Sequence, residues 1–279
     1  MATSSHSLST SMTLPNVESA AGELYATRVA LASRPAYLSV IVPIWNGATR
    51  LPMLLQRMRQ LFERLPYAAE LVLVDDCSGP ETVRFLDEMN CGFPVRVFRN
   101  ERNEGKGYSV ARGMLAARGR LRVFTDADLA YPVEEIETIV DALERGHDVA
   151  VACRVHRESR YVMSPSFFPY LFTRHLLSRT FNGVVRRLLV SGVLDTQAGL
   201  KGFTSEAAEL IFPRLTIRRF GFDVECLYIA HRHGKRLAQV PVTFRYDDEP
   251  TSVKFVRDGA RMLTDLLRVR TNAWRGVYD

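Results

Sequence analysis

Alternation of apolar runs with amphipathic stretches constrains the fold of this 279-residue chain more than any other feature. The apolar runs are rich in Val, Ile, Leu and Phe, are short enough to be buried strands, and cover residues 37–45, 69–79, 93–100, 120–130 and 147–155. The stretches between them carry apolar residues at helical spacing, as in Leu51, Leu54, Leu55 and Met58. Strands that alternate with helices predict an α/β fold, with a mostly parallel, doubly wound sheet and helices on both faces.

The regular alternation of apolar runs and amphipathic stretches ends after residue 156. Residues 156–192 are basic and aromatic, and the chain then predicts a short strand at Gly199–Phe203 and a helix from about Ser205. Further on, the pattern predicts a helix over 218–234, one final strand over 235–248 and a C-terminal amphipathic helix over 253–274. We therefore expect a mobile N-terminal tail over 1–35, a central domain over 36–246, and a C-terminal loop and amphipathic helix over 247–279.

The charge balance narrows the class of partner. The chain carries a formal net charge of +6 and has a pI near 9.3, which suits an anionic partner such as nucleic acid, a membrane surface or a phosphate ligand. The basic residues are interleaved with apolar ones and form no nucleic-acid recognition motif. We therefore predict that the chain does not bind nucleic acid.

The cysteines and the N-terminus bear on location. The four cysteines form no CxxC pair and no zinc spacing, so we expect reduced thiols and a cytosolic setting. The first 20 residues are rich in Ser and Thr and lack the apolar core of a secretory signal. No run of 18 or more apolar residues predicts a transmembrane helix. A cytoplasmic protein is expected, with peripheral attachment to the cytoplasmic membrane face as an open alternative.

Two carboxylates end the fourth predicted strand, in the sequence DAD of residues 126–128. Ligands of doubly wound sheets bind at the carboxyl ends of the strands. Asp126 and Asp128 supply hard oxygen ligands, which suit Mg²⁺ or Mn²⁺ bound to phosphate oxygens. The other interpretation is an acidic surface turn. The presence of further polar residues at two neighbouring strand ends favours the metal and phosphate site.

Those neighbouring strand ends carry an aromatic residue and a second acidic pair. Trp45 follows the first strand and is either part of the core or a stacking platform for a ligand. After the second strand, Asp75 fits a turn residue, whereas Asp76 is expected to face a nucleobase or ribose. The glycine loop around Lys106 lacks the spacing of a phosphate-binding P-loop.

Successive blocks of the chain resemble family 2 glycosyltransferases with the GT-A fold. The nucleotide half matches in VPIWN, LVDDCSGPET, NEGKGYSVARGMLAARG and VFTDADLAYPVEEI. The second half matches in DTQAGLKGFTSEAAELIF, FGFDVECLYIAHRHGKRLAQVPVTF and SVKF, and is similar to the dolichyl-phosphate glucosyltransferase and polyprenyl-phosphate mannosyltransferase branch. The resemblance covers about residues 37–268 and implies a Rossmann-like GT-A sheet. Trp45 replaces the Tyr of the family's usual P-x-Y-N-E block, and Ala130 stands where mannosyltransferases often carry Gln.

The resemblance implies an inverting, metal-dependent hexosyltransferase. It would move a sugar from a nucleoside diphosphate, UDP-glucose first and GDP-mannose second, to a polyprenyl phosphate. Mg²⁺ or Mn²⁺ would be held by Asp126 and Asp128. The residues implied around the nucleotide sugar are Pro43, Trp45, Asn46, Asp76, Lys106, Asp126, Ala127 and Asp128.

The chemistry of the acceptor assigns the remaining candidates. A phosphate acceptor is already ionised, so it requires positioning and cationic groups and no general base. The candidate cations are Arg154, Arg157, Arg160, Arg245 and Lys254. A hydroxyl acceptor would require a base, for which Asp223 or Glu225 is the candidate. Asp128, Arg154 and Asp223 are therefore the predicted catalytic residues.

Residues 161–190 leave the membrane question open. Their aromatic, Leu and Arg residues fit either a helix at a membrane interface or a helix pair packed on the sheet. A glycosyltransferase that acts on a soluble hydroxyl or phosphate acceptor therefore remains the alternative function.

Overall fold

The computed structural model describes residues 36–163, 183, 185, 189–246 and 255–279. For Met163, Tyr246 and residues 255–263 it describes the backbone alone. The predicted tail over 1–35, most of the basic aromatic segment over 156–192, and Lys254 lie outside the described residues.

A seven-stranded sheet forms the centre of the molecule, in the order β3-β2-β1-β4-β7-β5-β8. All its neighbouring pairs are parallel except those of β7, which is antiparallel to both β4 and β5. A parallel pair of strands, β6 and β9, forms a second sheet. The strands are β1 (Leu38–Ile44), β2 (Ala69–Asp75), β3 (Val95–Arg99), β4 (Leu121–Phe124), β5 (Val149–Ala152), β6 (Arg160–Met163), β7 (Lys201–Thr204), β8 (Leu237–Val240) and β9 (Thr243–Tyr246).

Helices flank the central sheet and connect its strands. They are α1 (Leu51–Arg64), α2 (Pro80–Glu88), α3 (Lys106–Ala116), α4 (Glu135–Glu144), α5 (Ser205–Ile211), a 3₁₀ turn (Phe212–Arg214), α6 (Phe222–Arg232) and α7 (Phe255–Trp274). Proline in the first turns of α1 and α2 suits a helix start, because that position needs no backbone donor. The predicted α/β class with a mostly parallel sheet is confirmed.

The strand register brings the predicted site residues to one edge. Ile44 of β1 lies opposite Asp75 of β2, and Ile41 of β1 lies opposite Phe124 of β4. The three parallel strands therefore end side by side, and the DAD residues follow β4 at that edge. The antiparallel β7 begins there too, since Phe124 is opposite Lys201.

An aromatic cluster packs beneath this edge. The rings of Phe124 and Phe203 are stacked with centroids 6.3 Å apart, and Phe222 meets Phe124 at 5.7 Å. All three side chains are fully buried, which removes a large apolar area from water and fixes the start of α6 against β4.

The prediction of one strand over 235–248 is wrong. The segment forms two strands that belong to different sheets, β8 beside β5 and β9 beside β6, and Pro241 lies between them. Proline has no N–H to donate to a strand ladder, so the chain leaves the central sheet at this point.

Candidate active site

The acidic end of β4 is tied to the glycine loop by an ion pair. Lys106 Nζ lies 2.6 Å from Asp126 Oδ1, and Lys106 is the first residue of α3. Burial alone would lower the pKa of Lys106, but the negative charges of Asp126 and then Asp223 outweigh it and raise that pKa. The lysine is therefore held as a cation beside the predicted metal carboxylates.

The second carboxylate of the DAD sequence is more exposed than the first. Asp128 Oδ1 accepts the backbone N–H of Ala130 at 3.0 Å. Although the side chain is exposed overall, the loss of water around its carboxylate and then the neighbouring charge of Asp126 raise the pKa of Asp128. A divalent cation held by both carboxylates would relieve the effect of the Asp126 charge on Asp128.

The rest of a cation's coordination would come from outside these two residues. Within the described part of the chain, no group of three or more His, Cys, Asp or Glu side chains is placed to hold a metal ion. A cation on Asp126 and Asp128 would therefore complete its shell with water and phosphate oxygens, as Mg²⁺ and Mn²⁺ at nucleotide sites do.

Gly199 lies directly against the carboxylate of Asp126, the first of the DAD sequence. A Cβ atom at Gly199 would overlap Asp126 Oδ2 and lie 3.7 Å from Cε2 of Tyr131. A side chain at residue 199 would therefore force the Asp126 carboxylate to move from this position. Tyr131 is itself buried, and its burial raises the pKa of that phenol.

Asp76 is buried beneath the glycine loop. Its Oδ1 accepts Asn100 Nδ2 and the N–H of Glu104, and its Oδ2 accepts the N–H of Gly105, each at 2.8 Å. The carboxylate thus shapes the loop that carries Lys106, and its predicted contact with a nucleobase or ribose stays a prediction. Asp75 Oδ1 accepts the N–H of Ser78 at 3.2 Å, as the turn interpretation expects.

The end of β1 presents an aromatic face. Trp45 is 57% exposed, which excludes a core role and favours a stacking platform. Asn46 has a φ of 52°, and its Oδ1 accepts the N–H of Gly79 at 2.8 Å, so it joins β1 to the start of α2. Pro43 and Ala127, the other two residues implied at the nucleotide, are both partly buried.

Lys201 is a site residue that the sequence analysis missed. It is fully buried, and its Nζ lies 2.5 Å from both Asp223 Oδ1 and the carbonyl oxygen of Ala198. A charged residue in the apolar run GLKGF was the available signal, because a lysine is rarely buried without a partner. The predicted base Asp223 therefore stands in a buried ion pair.

Glu225, the other base candidate, is enclosed. Its fully buried carboxylate accepts the N–H and hydroxyl of Thr216, the N–H of Ile217 and the hydroxyl of Tyr278. Four donors satisfy both oxygens, so this carboxylate anchors the loop before α6 and the C-terminal residues.

Arg154 follows β5 and pairs with a second residue that the sequence analysis missed. Its Nε and Nη2 donate to the two oxygens of Asp195 at 2.8 and 2.9 Å, and its backbone N–H donates to Oδ2 at 3.0 Å. Burial alone would raise the pKa of Asp195, but the Arg154 guanidinium outweighs it and holds that pKa below its ordinary value.

Three other predicted acceptor cations fall within the described residues, and they lie on or near the two-stranded sheet. Val162 of β6 is opposite Arg245 of β9, so Arg160 and Arg245 share one face of this sheet. Arg157, in the turn before β6, is 89% exposed in its side chain. The structure thus gathers Arg160 and Arg245, while their contact with an acceptor phosphate stays a prediction.

Comparison with known proteins gives a family match. The model of glycosyl transferase family 2 matches residues 39–192. The dolichyl-phosphate beta-glucosyltransferase of Dictyostelium discoideum is 32% identical over 87% of this chain and 76% of its own length. That of Homo sapiens is 33% identical over 85% of this chain and 77% of its own length.

Solved structures share the fold at lower identity. Glucosyl-3-phosphoglycerate synthase from Mycobacterium tuberculosis, in complex with Mn²⁺, UDP and glucosyl-3-phosphoglycerate, aligns with a TM-score of 0.59 at 17% identity, over 84% of this chain and 80% of that one. The mannosyltransferase of Pyrobaculum calidifontis, in complex with GDP-Man and Mn²⁺, aligns with a TM-score of 0.56 at 20% identity, over 87% of this chain and 65% of that one. The predicted GT-A fold is confirmed.

One structural finding bears on whether a helix of the chain crosses a membrane. Across the helices whose residues are described, none combines the length and apolar character needed to cross a bilayer.

Proposed function

The chain belongs to glycosyl transferase family 2, and from this membership we propose that it transfers glucose from UDP-glucose to a polyprenyl phosphate with inversion. An oxygen of the acceptor phosphate attacks C1 of the sugar. The bond from C1 to the donor diphosphate breaks on the opposite side, and UDP leaves with the bonding electrons. The product is a β-linked lipid phosphosugar, and GDP-mannose is the second candidate donor.

The observation that best supports a phosphate acceptor is that both candidate bases, Asp223 and Glu225, are already engaged by other protein groups. Asp223 is paired with the buried Lys201, and Glu225 is saturated by four donors. A hydroxyl acceptor would need a base to take its proton, and these two carboxylates are the candidates for it. A phosphate monoester arrives ionised and needs none, so the engaged carboxylates support a phosphate acceptor.

Groups at the end of β4 can neutralise the negative charge on the departing diphosphate. Asp126 and Asp128 are the residues that would hold Mg²⁺ or Mn²⁺, and either cation would supply neutralisation of the charge that develops on the leaving group. Lys106, held as a cation beside Asp126, adds a fixed positive charge at the same place. In this assignment the ion pair preorganises the site before the donor binds.

The nucleoside lies along the ends of β1 and β2 in this proposal. The exposed indole of Trp45 stacks on the base, and Asn46 and Pro43 border it. Asp76 supports this surface from below through the glycine loop. Ala127 leaves room for the diphosphate between the two carboxylates.

The acceptor phosphate approaches from the β5 side. Arg154 is held by Asp195 just after β5, and Arg160 and Arg245 form a second basic surface on the small sheet, where the N–H of Arg245 donates to the carbonyl oxygen of Ala130 after the DAD residues. Arginine suits this role because its planar fork binds two phosphate oxygens at once. A lipid acceptor also implies that the protein works at a membrane surface.

A transfer assay tests the proposal. The protein is incubated with labelled UDP-glucose or GDP-mannose, Mn²⁺ or Mg²⁺, and a polyprenyl phosphate in detergent. We expect metal-dependent label in the lipid fraction, with UDP-glucose as the better donor. Label found only on a soluble phosphorylated or hydroxylated acceptor would replace the proposal with the alternative function, and no transfer with any donor would refute it.

A further inference from the structure

The carboxylate of Asp195 binds the Arg154 guanidinium through two hydrogen bonds, in the plane of that group. Asp195 receives Nε and Nη2 in a side-on pair and also accepts the backbone N–H of the same arginine. The hydroxyl of Tyr161 donates to the Arg154 carbonyl oxygen at 2.6 Å, which fixes the backbone on the other side. A side-on pair of this kind sets direction as well as charge, because it satisfies two donors of the fork at once.

Aromatic rings restrain the same guanidinium out of its plane. Arg154 Cζ lies 5.4 Å from the centroid of the Phe244 ring, within the range of a cation–π contact. Tyr131 packs edge-on against Phe244 with centroids 4.8 Å apart. Tyr131 also borders Gly199 and thereby Asp126, so this stack extends from the arginine to the DAD residues.

The carboxylate that holds the arginine is itself fixed. Asp195 has 2% side-chain exposure, and the N–H of the preceding Leu194 donates to Gln239 Oε1 of β8 at 2.6 Å. Four residues later the same loop reaches Gly199, which abuts Asp126. One loop therefore contacts the arginine at one end and the predicted metal carboxylate at the other.

We propose that Asp195 is a positioning residue that aims Arg154 at the acceptor phosphate and fixes it relative to Asp126. This inference rests on the proposed transfer to a phosphate acceptor. A free arginine has many rotamers, and holding it in one geometry before the acceptor binds lowers the entropic cost of the reactive complex. A pair that only stabilises the fold would leave the use of acceptor unchanged per folded molecule.

The first test separates the acceptor from the donor. In Asp195→Asn, one oxygen of the side-on pair becomes an amide and the aim of Arg154 is loosened. We expect kcat/KM for the polyprenyl phosphate to fall about 10- to 100-fold, while KM for the nucleotide sugar and the donor-induced rise in Tm stay unchanged. An equal loss for donor and acceptor, or no loss in the folded variant, would overturn the proposal.

A matched control breaks another arginine pair at the far end of the same sheet. Arg122 of β4 lies 2.7 Å from Glu209 of α5, at the amino end of the strand. Glu209→Gln removes this pair at a distance from the site. We expect it to change Tm without changing either KM.

Chemical rescue provides a second, independent measurement. Arg154→Ala leaves Asp195 as a buried carboxylate facing an arginine-sized space, which free guanidinium at millimolar concentration would fill. We expect guanidinium to restore part of the acceptor-dependent rate in Arg154→Ala and none in the double variant Arg154→Ala/Asp195→Asn. Equal rescue of both variants, or no rescue of a folded single variant, would overturn the proposal.

These outcomes are distinct from failure of the proposed function. If the unmodified protein transfers no sugar to any lipid phosphate, the proposed function fails. If it does so and Asp195→Asn behaves like Glu209→Gln, the function stands and the positioning role fails.

Discussion

Lys106 Nζ and Asp126 Oδ1 are 2.6 Å apart, and this ion pair joins the start of α3 to the end of β4. The lysine belongs to the glycine loop that Asp76 holds from below, whereas the aspartate follows the strand at the centre of the sheet. The nucleotide and metal halves of the predicted site are therefore connected by a direct contact of opposite charges.

Removal of this lysine should make the protein more responsive to metal. In Lys106→Met the charges of Asp126 and Asp128 lose their nearest cation, so Mn²⁺ alone should raise Tm by more than it does in the unmodified protein. We also expect kcat/KM to fall on the order of 10²-fold or more, as for other fixed charges at a developing anion. Differential scanning fluorimetry with and without Mn²⁺ measures the first effect. Lys235→Met, which removes a lysine 4.0 Å from Asp148, is the control, and an equal Mn²⁺ response in both variants would contradict the account.

The exposed carboxylate of the DAD sequence should matter for activity and little for stability. Asp128→Ala should abolish measurable transfer, while the free energy of unfolding changes by no more than about 0.5 kcal/mol, since the side chain is at the surface. Activity assays and urea unfolding measure the two quantities. Asp141→Ala on α4, also exposed, should leave both unchanged. Near-normal turnover of Asp128→Ala would remove the metal role.

Gly199 should be required by the carboxylate that it abuts. In Gly199→Ala the new methyl group overlaps Asp126 Oδ2, so the metal-dependent rise in Tm and the transfer rate should both fall strongly. Gly202→Ala, three residues on, places its methyl group against Ile139, Leu143 and Val123 in the core. That variant should lose stability by about 1–3 kcal/mol through overpacking and keep its Mn²⁺ response. A normal Mn²⁺ response in Gly199→Ala would show that Asp126 does not need this space.

The buried carboxylate of Glu225 should be structural. Glu225→Gln replaces one accepting oxygen by a donor in a site where two backbone N–H groups and two hydroxyls all donate, so we expect a loss of about 1–3 kcal/mol in the free energy of unfolding. Thermal and urea unfolding measure this loss. The transfer rate per folded molecule at 20 °C should be near normal. A large loss of rate in a folded variant would restore Glu225 as a candidate base.

The Arg154–Asp195 pair should give a defined dependence of stability on pH. The pKa of Asp195 is lowered in the folded protein, so its contribution is fully present above the ordinary aspartate pKa of about 3.9 and is lost as pH falls through the lower folded value. The difference in unfolding free energy between the unmodified protein and Asp195→Asn should be constant from about pH 5 to 8 and shrink below about pH 4. A difference that persists unchanged at pH 3 would contradict the paired, ionised state.

The strands that carry this site, and the edge of the sheet at which they end, could be predicted from local sequence patterns. The five apolar runs fix the strands, and parallel strands end at one edge, so Trp45 and the DAD residues were expected near one another. The exposure of Trp45 then excludes the core interpretation, and its stacking on a ligand stays a prediction.

The rest of the site depends on contacts between residues distant in sequence. Lys201 meets Asp223 across 22 residues and Arg154 meets Asp195 across 41, and no local pattern encodes either partner. Pro241 carries a local signal, since proline cannot donate to a ladder, but the identity of the second sheet depends on β6, which the sequence analysis did not predict.

The central claim is that the acceptor is an ionised lipid phosphate, and the most direct measurement offers the protein a matched pair of acceptors. Polyprenyl phosphate and the polyprenyl alcohol of the same length are each incubated with labelled UDP-glucose and Mn²⁺, and the product is analysed for label and anomeric configuration. The account predicts β-linked glucose on the phosphate and none on the alcohol, because Asp223 is engaged in a buried ion pair and Glu225 already accepts from four donors. Comparable glucosylation of the alcohol, or an α-linked product, would contradict it.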